Sequence, residues 1–532
     1  MSGEGRSYDY VIVGAGPAGC VLANRLSAGG DAEVLLLEAG DPDENREIGV
    51  PAAFSELFES AVDWAYYTEP QSELHDRELY WPRGKTLGGS SSINAMIYVR
   101  GQPEDYDHWT ELGNEGWAYE DVLPYFKRAE HNERGPSDYH AIGGPRNVTD
   151  LRSPNELTEA FLEAGQSVGL SYNENFNAGD QAGVGYYQVT QKDGKRHSAA
   201  DAYLKPVLER PNLTAVTGAR VTNVRFDGRE AVGVEYARDD ATGRSATVDA
   251  TDEVILSAGA INSPHLLLCS GVGPADHLSE HDIPVVTDLP GVGRNLQDHL
   301  QVGVNYESTK PITLADADSL WNTLKYLLRK NGPLTSNIAE AGGFTTVSED
   351  AEVPEIQFHF GPTYFVEHGF DNPEGHGFSL GALRLRPDSR GRISLRSADP
   401  FDEPAIDPQY LTEGDDLEML LEGIKLVREI LQAGPFDDYR GEEVLPGSDV
   451  ESDTELTEYI RETAETLYHP VGTCKMGDDE MAVVDDRLRV RGLERLRVVD
   501  ASIMPTITSG NTDAPTTMIA EKAADHIRAD RG

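Results

Sequence analysis

Three features of this 532-residue chain predict a mixed α/β (α+β) architecture. Near the start, a short apolar run ends in Gly14-Ala15-Gly16-Pro17-Ala18-Gly19, and a helix-forming stretch and a second apolar run follow. Strand, glycine turn, helix and strand in that order open a Rossmann-like βαβ unit. The pattern returns twice: a strand at 254–256 runs into a helix, and a strand at 496–499 precedes one. The stretch from about 306 to 459 differs, with longer polar and acidic runs, several aromatics and short strand-like pieces. A chain of this length exceeds one core. The expectation is a Rossmann-like nucleotide-binding domain over 1–150, 196–305 and 460–532. An antiparallel-sheet domain for substrate, over 151–195 and 306–459, is inserted into it.

The elements follow in order. Residues 8–13 read as a buried strand, the helix runs to Leu26, and Val34–Leu37 ends at Glu38. A glycine- and serine-rich loop spans Gly84 to Asn94. Residues 212–236 alternate in β fashion through Leu213, Val216, Val221, Val224, Val232 and Val234, with Asp227-Gly228 as a hairpin turn. The apolar run at 254–256 leads through Ser257-Ala258-Gly259-Ala260-Ile261-Asn262-Ser263-Pro264 to a helix. In the middle segment, 356–360 and 393–395 read as strands, and the acids at Asp415-Asp416 and 441–443 as solvated faces. Residues 512–528 close the chain as a helix carrying Met518, Ile519, Ala523 and Ile527.

Hydrophobic residues make up 39% of the chain, enough for a globular interior. Asp and Glu number 92 against 45 Lys and Arg, a formal charge of −47, and only 11 of the basic residues are lysine. Repulsion from phosphate excludes a nucleic-acid partner and disfavours anionic membrane surfaces. The acids are spread along the chain, which fits a surface built for very high salt, where the Debye length falls to ~3 Å and self-repulsion is screened. Cys20, Cys269 and Cys474 are far apart and form no Cys-x-x-Cys pair, so neither a disulfide scaffold nor a metal site is expected. Cys474 reads as a packing residue. No apolar run approaches the ~18 residues of a membrane helix. The polar residues 1–10 run straight into a strand with no signal peptide visible, so a cytoplasmic, soluble protein is expected.

The chemistry-bearing positions sit at both ends. A lone Gly-x-Gly-x-x-Gly is weak, but here it follows a strand, precedes a helix and has Glu38 at the end of the next strand. Gly14 permits the tight turn, Gly16 lets a pyrophosphate approach the backbone, and Gly19 lets helix and strand pack. Glu38 accepts hydrogen bonds from a ribose diol and repels a 2′-phosphate. FAD and NAD share the ADP half, so this motif does not separate them. In Gly88-Gly89-Ser90-Ser91 the glycines clear space for a bulky group, while the serines and Asn94 offer hydrogen bonds. At the far end His469, in Tyr468-His469-Pro470-Val471-Gly472, is a base available near neutral pH. Asn511 follows in Ser509-Gly510-Asn511-Thr512 and can hold an oxygen in place, or cap the helix that begins nearby.

Together these residues resemble the glucose–methanol–choline (GMC) flavoprotein oxidoreductases over nearly the whole chain. The segment 14–19 with Glu38-Ala39-Gly40 is similar to the family's adenosine site, and the stretch from Asp63 to Pro70, with Trp64, to its next landmark. The stretch from Gly84 to Gly101, with Leu87, Gly88, Gly89, Ser91, Asn94, Ala95 and Met96 in it, resembles the first family signature, and the stretch from Gly259 to Gly273 the second. Gly291-Val292-Gly293-Arg294-Asn295-Leu296-Gln297-Asp298-His299 is also shared, and His469 and Asn511 stand where the family keeps its catalytic pair. The resemblance implies FAD rather than NAD. It implies that Ala15, Ala18, Ala39, Trp64, Arg83, Leu87, Ala95, Met96, Ala258 and Gly259 join the glycines, Glu38, Ser91 and Asn94 around the cofactor. Val221 is implied to meet the adenine through its backbone, and Asp500, Ala501, Asn511 and Thr512 to line the ribityl and pyrimidine side. Some members attach FAD through a histidine beside the signature asparagine; Ile93 stands there, so non-covalent FAD is expected.

The implied chemistry is alcohol oxidation. His469 takes the hydroxyl proton, Asn511 donates to the developing alkoxide, and hydride passes from carbon to flavin N5. His197, His265 and His299 are expected to support the site rather than react. The C-terminal stretch is most similar to the choline dehydrogenase branch, which points to choline or another primary alcohol; Tyr364, Phe365 and Glu367 are candidates for a cation cage. Reduced flavin then needs a quinone, a carrier protein or O2. An alcohol oxidase, a redox-silent hydroxynitrile lyase, an FAD-binding protein without turnover and an NAD-dependent dehydrogenase remain the rival readings. The acidic surface carries its own consequence: the melting temperature rises with molar salt and the fold is lost on dilution. A melting curve indifferent to salt contradicts that account.

Overall fold

The structure is a computed structural model in which residues 7–238, 245–348 and 350–531 are described. Residues 1–6, on which part of the signal-peptide expectation falls, lie outside the described residues.

Two seven-stranded sheets organise the chain. In the first, Val34–Leu37, Ser7–Val13 and Ser245–Leu256 run parallel side by side, with Leu213–Val216 beyond Val34–Leu37 and Leu496–Val498 on the C-terminal half of Ser245–Leu256. All four residues of Val34–Leu37 are buried, the mark of a parallel strand covered on both faces. The expected hairpin, Ala219–Asp227 with Glu230–Arg238, extends the sheet antiparallel from the other half of Ser245–Leu256. Five parallel strands thus end at one edge, and four of them deliver expected residues just past their ends: Gly14 after Val13, Glu38 after Leu37, Ser257 and Ala258 after Leu256, and Asp500 after Val498. Ligands of open α/β sheets bind in such a crevice.

The helix Pro17–Leu26 packs under this edge because Gly19 carries no side chain: a Cβ there would lie 1.9 Å from the Gly14 carbonyl oxygen. The helix Gly259–Cys269 starts five residues before Pro264, earlier than the proline implies. Asp500 Oδ2 accepts from the Gly259 N–H at 2.9 Å at its start. Pro264 leaves the Ala260 carbonyl without its helical donor, and the Thr473 hydroxyl donates to it at 2.6 Å instead.

The second sheet is antiparallel throughout. It pairs Arg440–Leu445, Leu300–Ser308, Gly377–Arg384, Ile356–Gly361, Ala341–Thr345 and Gly183–Tyr186 in that order, with Glu465–Thr466 also on Leu300–Ser308. The helix Asp416–Gln432 covers it with Leu420, Ile424, Val427 and Leu431, spaced three or four apart on one face. Two acids expected on solvated faces are buried here. Asp416 accepts from the Asp388 and Ser389 N–H groups at 2.9 Å and pairs with Arg384, and Glu443 pairs with Arg428 and accepts from Tyr306 Oη at 2.6 Å. An acid pair read in sequence carries no sign of the arginine that folding brings to it.

The C-terminal helix, Asp513–Asp530, lies against Pro17–Leu26 and is held by Glu521, which is fully buried. Arg25 donates to it at 2.7 and 2.9 Å, Arg128 at 2.8 Å and Tyr203 Oη at 2.9 Å. Glu521→Ala leaves Tyr203 Oη and two partly exposed guanidinium groups without their buried acceptor and costs about 1–3 kcal/mol of stability, read as a fall in the denaturation midpoint. An unchanged midpoint contradicts the clamp.

Candidate active site

A cavity of about 730 Å³ runs between the edge of the parallel sheet and the antiparallel sheet. One end is walled by Gly14, Gly16, Ala18, Glu38, Ala39 and Val221. Its middle is walled by Trp64, Arg83, Gly89, Ser91, Asn94, Ala95 and Met96, and by Ala258, Gly259, Asp500, Ala501 and Thr512. The far end holds His469 and Asn511 together with Gln301, Asn305 and His359 of the antiparallel sheet. Residues from 14 to 512 meet because the strand ends and the glycine loops converge.

Four expected cofactor residues stand behind the wall rather than on it. Ala15 donates its N–H to Glu38 Oε2 at 2.8 Å, and its carbonyl accepts from the Gly88 N–H at 2.8 Å. Gly19 sits against Gly14, and the Leu87 carbonyl accepts from Ser92 Oγ at 2.7 Å. The glycine stretches also touch: Gly89 has φ +52°, and a Cβ on it would lie 2.7 Å from the Gly16 Cα. The second loop closes on the first only because both positions lack a side chain.

Glu38 is buried, which pushes its carboxyl up to about 7 against the N–H donors of Gly40 and Ala15 that hold it down. Each of its oxygens takes one backbone N–H at 2.8 Å and keeps a lone pair for a hydroxyl. Trp64 stacks on Tyr66 at 5.7 Å with Lys85 and Arg220 over its ring. Asp500 accepts from Gly259 N–H, Ser263 Oγ at 2.6 Å and Ser502 N–H at 2.8 Å, tying two loops of the wall together.

At the far end, His469 Nε2 lies 3.1 Å from Asn511 Nδ2. Asn511 does not cap the final helix, whose N-cap is Thr512. Its Oδ1 is the acceptor for Gln357 Nε2 at 3.4 Å, which turns the amide N–H2 toward the imidazole. His469 Nδ1 faces His299 Nδ1 at 2.9 Å, and His299 Nε2 faces the Leu385 carbonyl at 2.9 Å. This chain fixes the protons. A carbonyl only accepts, so His299 carries its proton on Nε2 and presents a bare Nδ1. His469 donates Nδ1–H to it, and its bare Nε2 is left facing Asn511 and the cavity. Burial, followed by His299, His359 and Arg83, holds the His469 imidazole well below its usual pKa, so it is neutral. Burial likewise pushes His299 down to about 4 and His359 to about 3. The backbone is held too: the His469 N–H donates to Asp298 Oδ1 at 2.6 Å, while Asp298 Oδ2 accepts from Thr466 Oγ1 at 2.6 Å.

His299 thus does more than lend general support, and His359 and Gln357 are site residues that sequence reasoning left out. Asp298-His299 stood in a segment already singled out. Nothing in the order of residues showed that the antiparallel register, with Gln301 opposite Leu383 and Leu300 opposite Thr466, brings Leu385 and Leu467 alongside His299. His265 is on the cavity wall, whereas His197 Nδ1 accepts from Asn147 N–H at 3.2 Å. Of the cage candidates, Phe365 and Glu367 line the cavity, and Tyr364 turns its ring against Gly377. Cys474 is buried, as expected of a packing residue. Among the described residues, no helix is long and apolar enough to cross a membrane.

The sequence profile of the GMC oxidoreductases matches residues 8–301 with its N-terminal part and 387–520 with its C-terminal part. The chain is 49% identical over 527 residues to an alcohol dehydrogenase (acceptor) of Pseudomonas putida, covering 98% of this chain and 95% of that protein. It is 46% identical to the mitochondrial choline dehydrogenase of Mus musculus, over 98% of this chain and 89% of that one. A formate oxidase of Aspergillus oryzae, solved in work on modification of its FAD, superposes with a TM-score of 0.93 at 28% identity over 99% of each chain.

The proton assignment is open to direct measurement. Nitrogen-15 NMR of histidine-labelled protein shows His469 as the Nδ1–H form; in His299→Leu that preference is lost, and in His299→Gln, which keeps an acceptor, it survives. An Nε2–H form in the unsubstituted protein overturns the assignment.

Proposed function

The chain belongs to the GMC oxidoreductase family of FAD flavoproteins, and from that premise we propose that it oxidises a primary alcohol, choline or another, to the aldehyde. The observation that carries the reading is the bare Nε2 of His469 set 3.1 Å from Asn511 Nδ2 on the same cavity as Gly14, Glu38 and Gly89.

The residues present fit FAD. The first turn of Pro17–Leu26 opens on the cavity through Gly16, Pro17 and Ala18, as a diphosphate needs. Glu38 has lone pairs to spare for a ribose diol. Ser257 Oγ is buried on the wall without a partner, a hydroxyl that a bound group would satisfy. Gly14, Gly16, Pro17, Ala18, Glu38, Ala39 and Val221 are assigned to the adenosine half, and Gly89, Ser91, Asn94, Asp500, Ala501 and Thr512 to the flavin half. Ile93 carries no group able to bond to a flavin, so the cofactor is held without a covalent link. When bound, FAD supplies the electron sink, taking up at N5 the hydride that leaves the alcohol carbon.

The protein's own part is positioning and proton removal. A hydroxyl placed on the cavity side, within reach of both His469 Nε2 and Asn511 Nδ2, gives its proton to the imidazole and accepts a hydrogen bond from the amide. Deprotonation raises the electron density that expels hydride. The buried, water-poor wall makes the amide's hydrogen bond to a growing alkoxide stronger than it is in water. The division of labour follows the two sheets: the loops at the parallel edge hold the cofactor, and the antiparallel sheet, with Leu300–Ser308 counted to it, shapes the alcohol site. The electrons pass on to a quinone, a carrier protein or O2. The acidic surface is an adaptation to molar salt.

His469→Ala lowers the rate of flavin reduction by about 10² to 10⁴ while FAD stays bound. A nearly unchanged rate contradicts the base assignment. The pH dependence has a definite sign. Protonating Nε2 removes the base, and burial opposes that protonation. The acid limb of the kcat/KM profile therefore lies below pH 6.5, the ordinary histidine value. A limb at or above that value is the contrary result. An anaerobic screen of alcohols, choline included, reads which one bleaches the bound flavin, and admitting air then separates oxidase from dehydrogenase. A flavin bleached by no alcohol leaves the lyase reading standing.

A further inference from the structure

Beside the His469–Asn511 pair, the cavity is floored by one face of the antiparallel sheet, and much of that face has no side chains. Leu300–Ser308, Gly377–Arg384 and Ile356–Gly361 lie next to one another there. One set of alternate residues, Val302, Leu380 and Phe358 among them, is buried in the core. The other set faces the cavity, and three of its members are Gly303, Gly381 and Gly361. The register puts Gly303 opposite Gly381, with His359 on the next strand. One step along, Asn305 stands opposite Ser379, with Gly361 beyond. Gln357, whose Nε2 donates to Asn511 Oδ1 at 3.4 Å, precedes His359 by one step and ties the floor to the catalytic pair.

Glycine weakens a strand, so each of these positions needs a reason. At Gly381 a Cβ would lie 3.2 Å from Gln301 Oε1, and at Gly361 it would lie 3.3 Å from the Ile338 carbonyl oxygen. Gly303 has no such neighbour. Its φ is not left-handed, and the nearest described atoms beyond its chain neighbours, the Leu380 carbonyl oxygen and Asn305 Nδ2, would lie 3.9 and 4.0 Å from a Cβ. Alanine fits the protein there, and the space it would take is the cavity's. Glycine under those conditions marks the close approach of a ligand. The bare area is broad rather than long: three strands, about 10 Å, by one two-residue step, about 7 Å. Phe365, whose N–H donates to Ser379 Oγ at 3.0 Å, and Ile338 border it. The neutral amides of Gln301 and Asn305 lie at its edge.

We propose that the alcohol carries a planar ring, an uncharged aryl or heteroaryl carbinol, and that the ring lies flat on Gly303 and Gly381. This narrows the alcohol oxidation proposed above and rests on it: the carbinol oxygen stands at His469 and Asn511, and the ring extends from there over the next step of the strands. Phe365 and Ile338 flank the ring, and the amides of Gln301 and Asn305 hydrogen-bond to its polar substituents or to a ring nitrogen. A side chain on the floor would lift the ring away from that position. A quaternary ammonium gains less here. Glu465, opposite Gln301 in the register, already takes the His368 N–H at 3.3 Å, and burial pushes its carboxyl up to about 7. Much of it is uncharged near neutral pH, so it attracts a cation weakly.

The FAD-loaded protein is mixed anaerobically with benzyl alcohol, 3-pyridylmethanol, cyclohexylmethanol, 1-hexanol, 1-propanol and choline, and bleaching of the flavin is timed at limiting substrate. The two planar-ring alcohols react at least about tenfold faster than cyclohexylmethanol, 1-hexanol and choline. Gly303→Ala lowers the ratio of benzyl alcohol to 1-propanol by about tenfold or more, with no fall in melting temperature, because one methyl then occupies the floor. Phe365→Ala, at the rim, lowers the same ratio. Choline or 1-hexanol bleaching the flavin as fast as benzyl alcohol overturns the ring site and leaves alcohol oxidation standing. A ratio that moves in neither variant also overturns it. A flavin bleached by none of the alcohols overturns the oxidation reading itself, and the ring site with it.

Discussion

One backbone carbonyl decides the state of the site. The Leu385 oxygen can only accept, and that single fact sets the proton of His299, the proton of His469 and the direction in which a bare imidazole nitrogen points. A buried imidazole has two tautomers close in energy, and a base that spends its time with Nε2 protonated cannot take a proton from an alcohol. The adjacent residue completes the hold. Asp298 fixes the main chain at 469 and His299 fixes its ring, so two consecutive positions on one strand approach position the histidine from both sides. The arrangement depends on the antiparallel register, because a slip of one residue would turn His299 to the opposite face.

The other half of the cavity follows from a different constraint, the absence of side chains where two loops meet. Parallel strands end together at one edge, and the glycine turn after the first is roofed by a second glycine stretch that closes on Gly16 through Gly89. A backbone that comes this near leaves a narrow, donor-rich slot, which suits a diphosphate and a ring system laid along it. Asp500 and Glu38 use their oxygens to fix that backbone, so the carboxylates build the slot before they meet any ligand.

Charge works at two ranges in this protein. Spread over the surface, the acids keep the chain hydrated and repel polyanions. Buried, a few of them do the opposite work: Glu521 gathers Arg25 and Arg128 from distant parts of the chain, while Asp416 and Glu443 each pair with one arginine, Arg384 and Arg428, and tie elements together. On the helix Leu320–Arg329 the usual arrangement is reversed, with Leu320, Trp321, Leu324, Leu327 and Leu328 facing outward.

Sequence alone carried the Rossmann-like opening, the hairpin at 227–228, the closing helix and the pairing of His469 with Asn511, because each is written in short-range terms: a periodicity, a turn residue or a motif with its neighbours. The family resemblance followed from those same motifs. Tertiary structure decided what depends on distance. It moved Ala15, Gly19, Leu87 and Gly88 behind the cavity wall, buried Asp416 and Glu443, started a helix before Pro264, and made His299 the partner of His469. None of these was legible in advance, since each rests on a partner that only folding brings alongside. Order along the chain records which residues are neighbours; only the packed sheets determine which hydrogen-bonding atoms face each other, and with them where the protons sit.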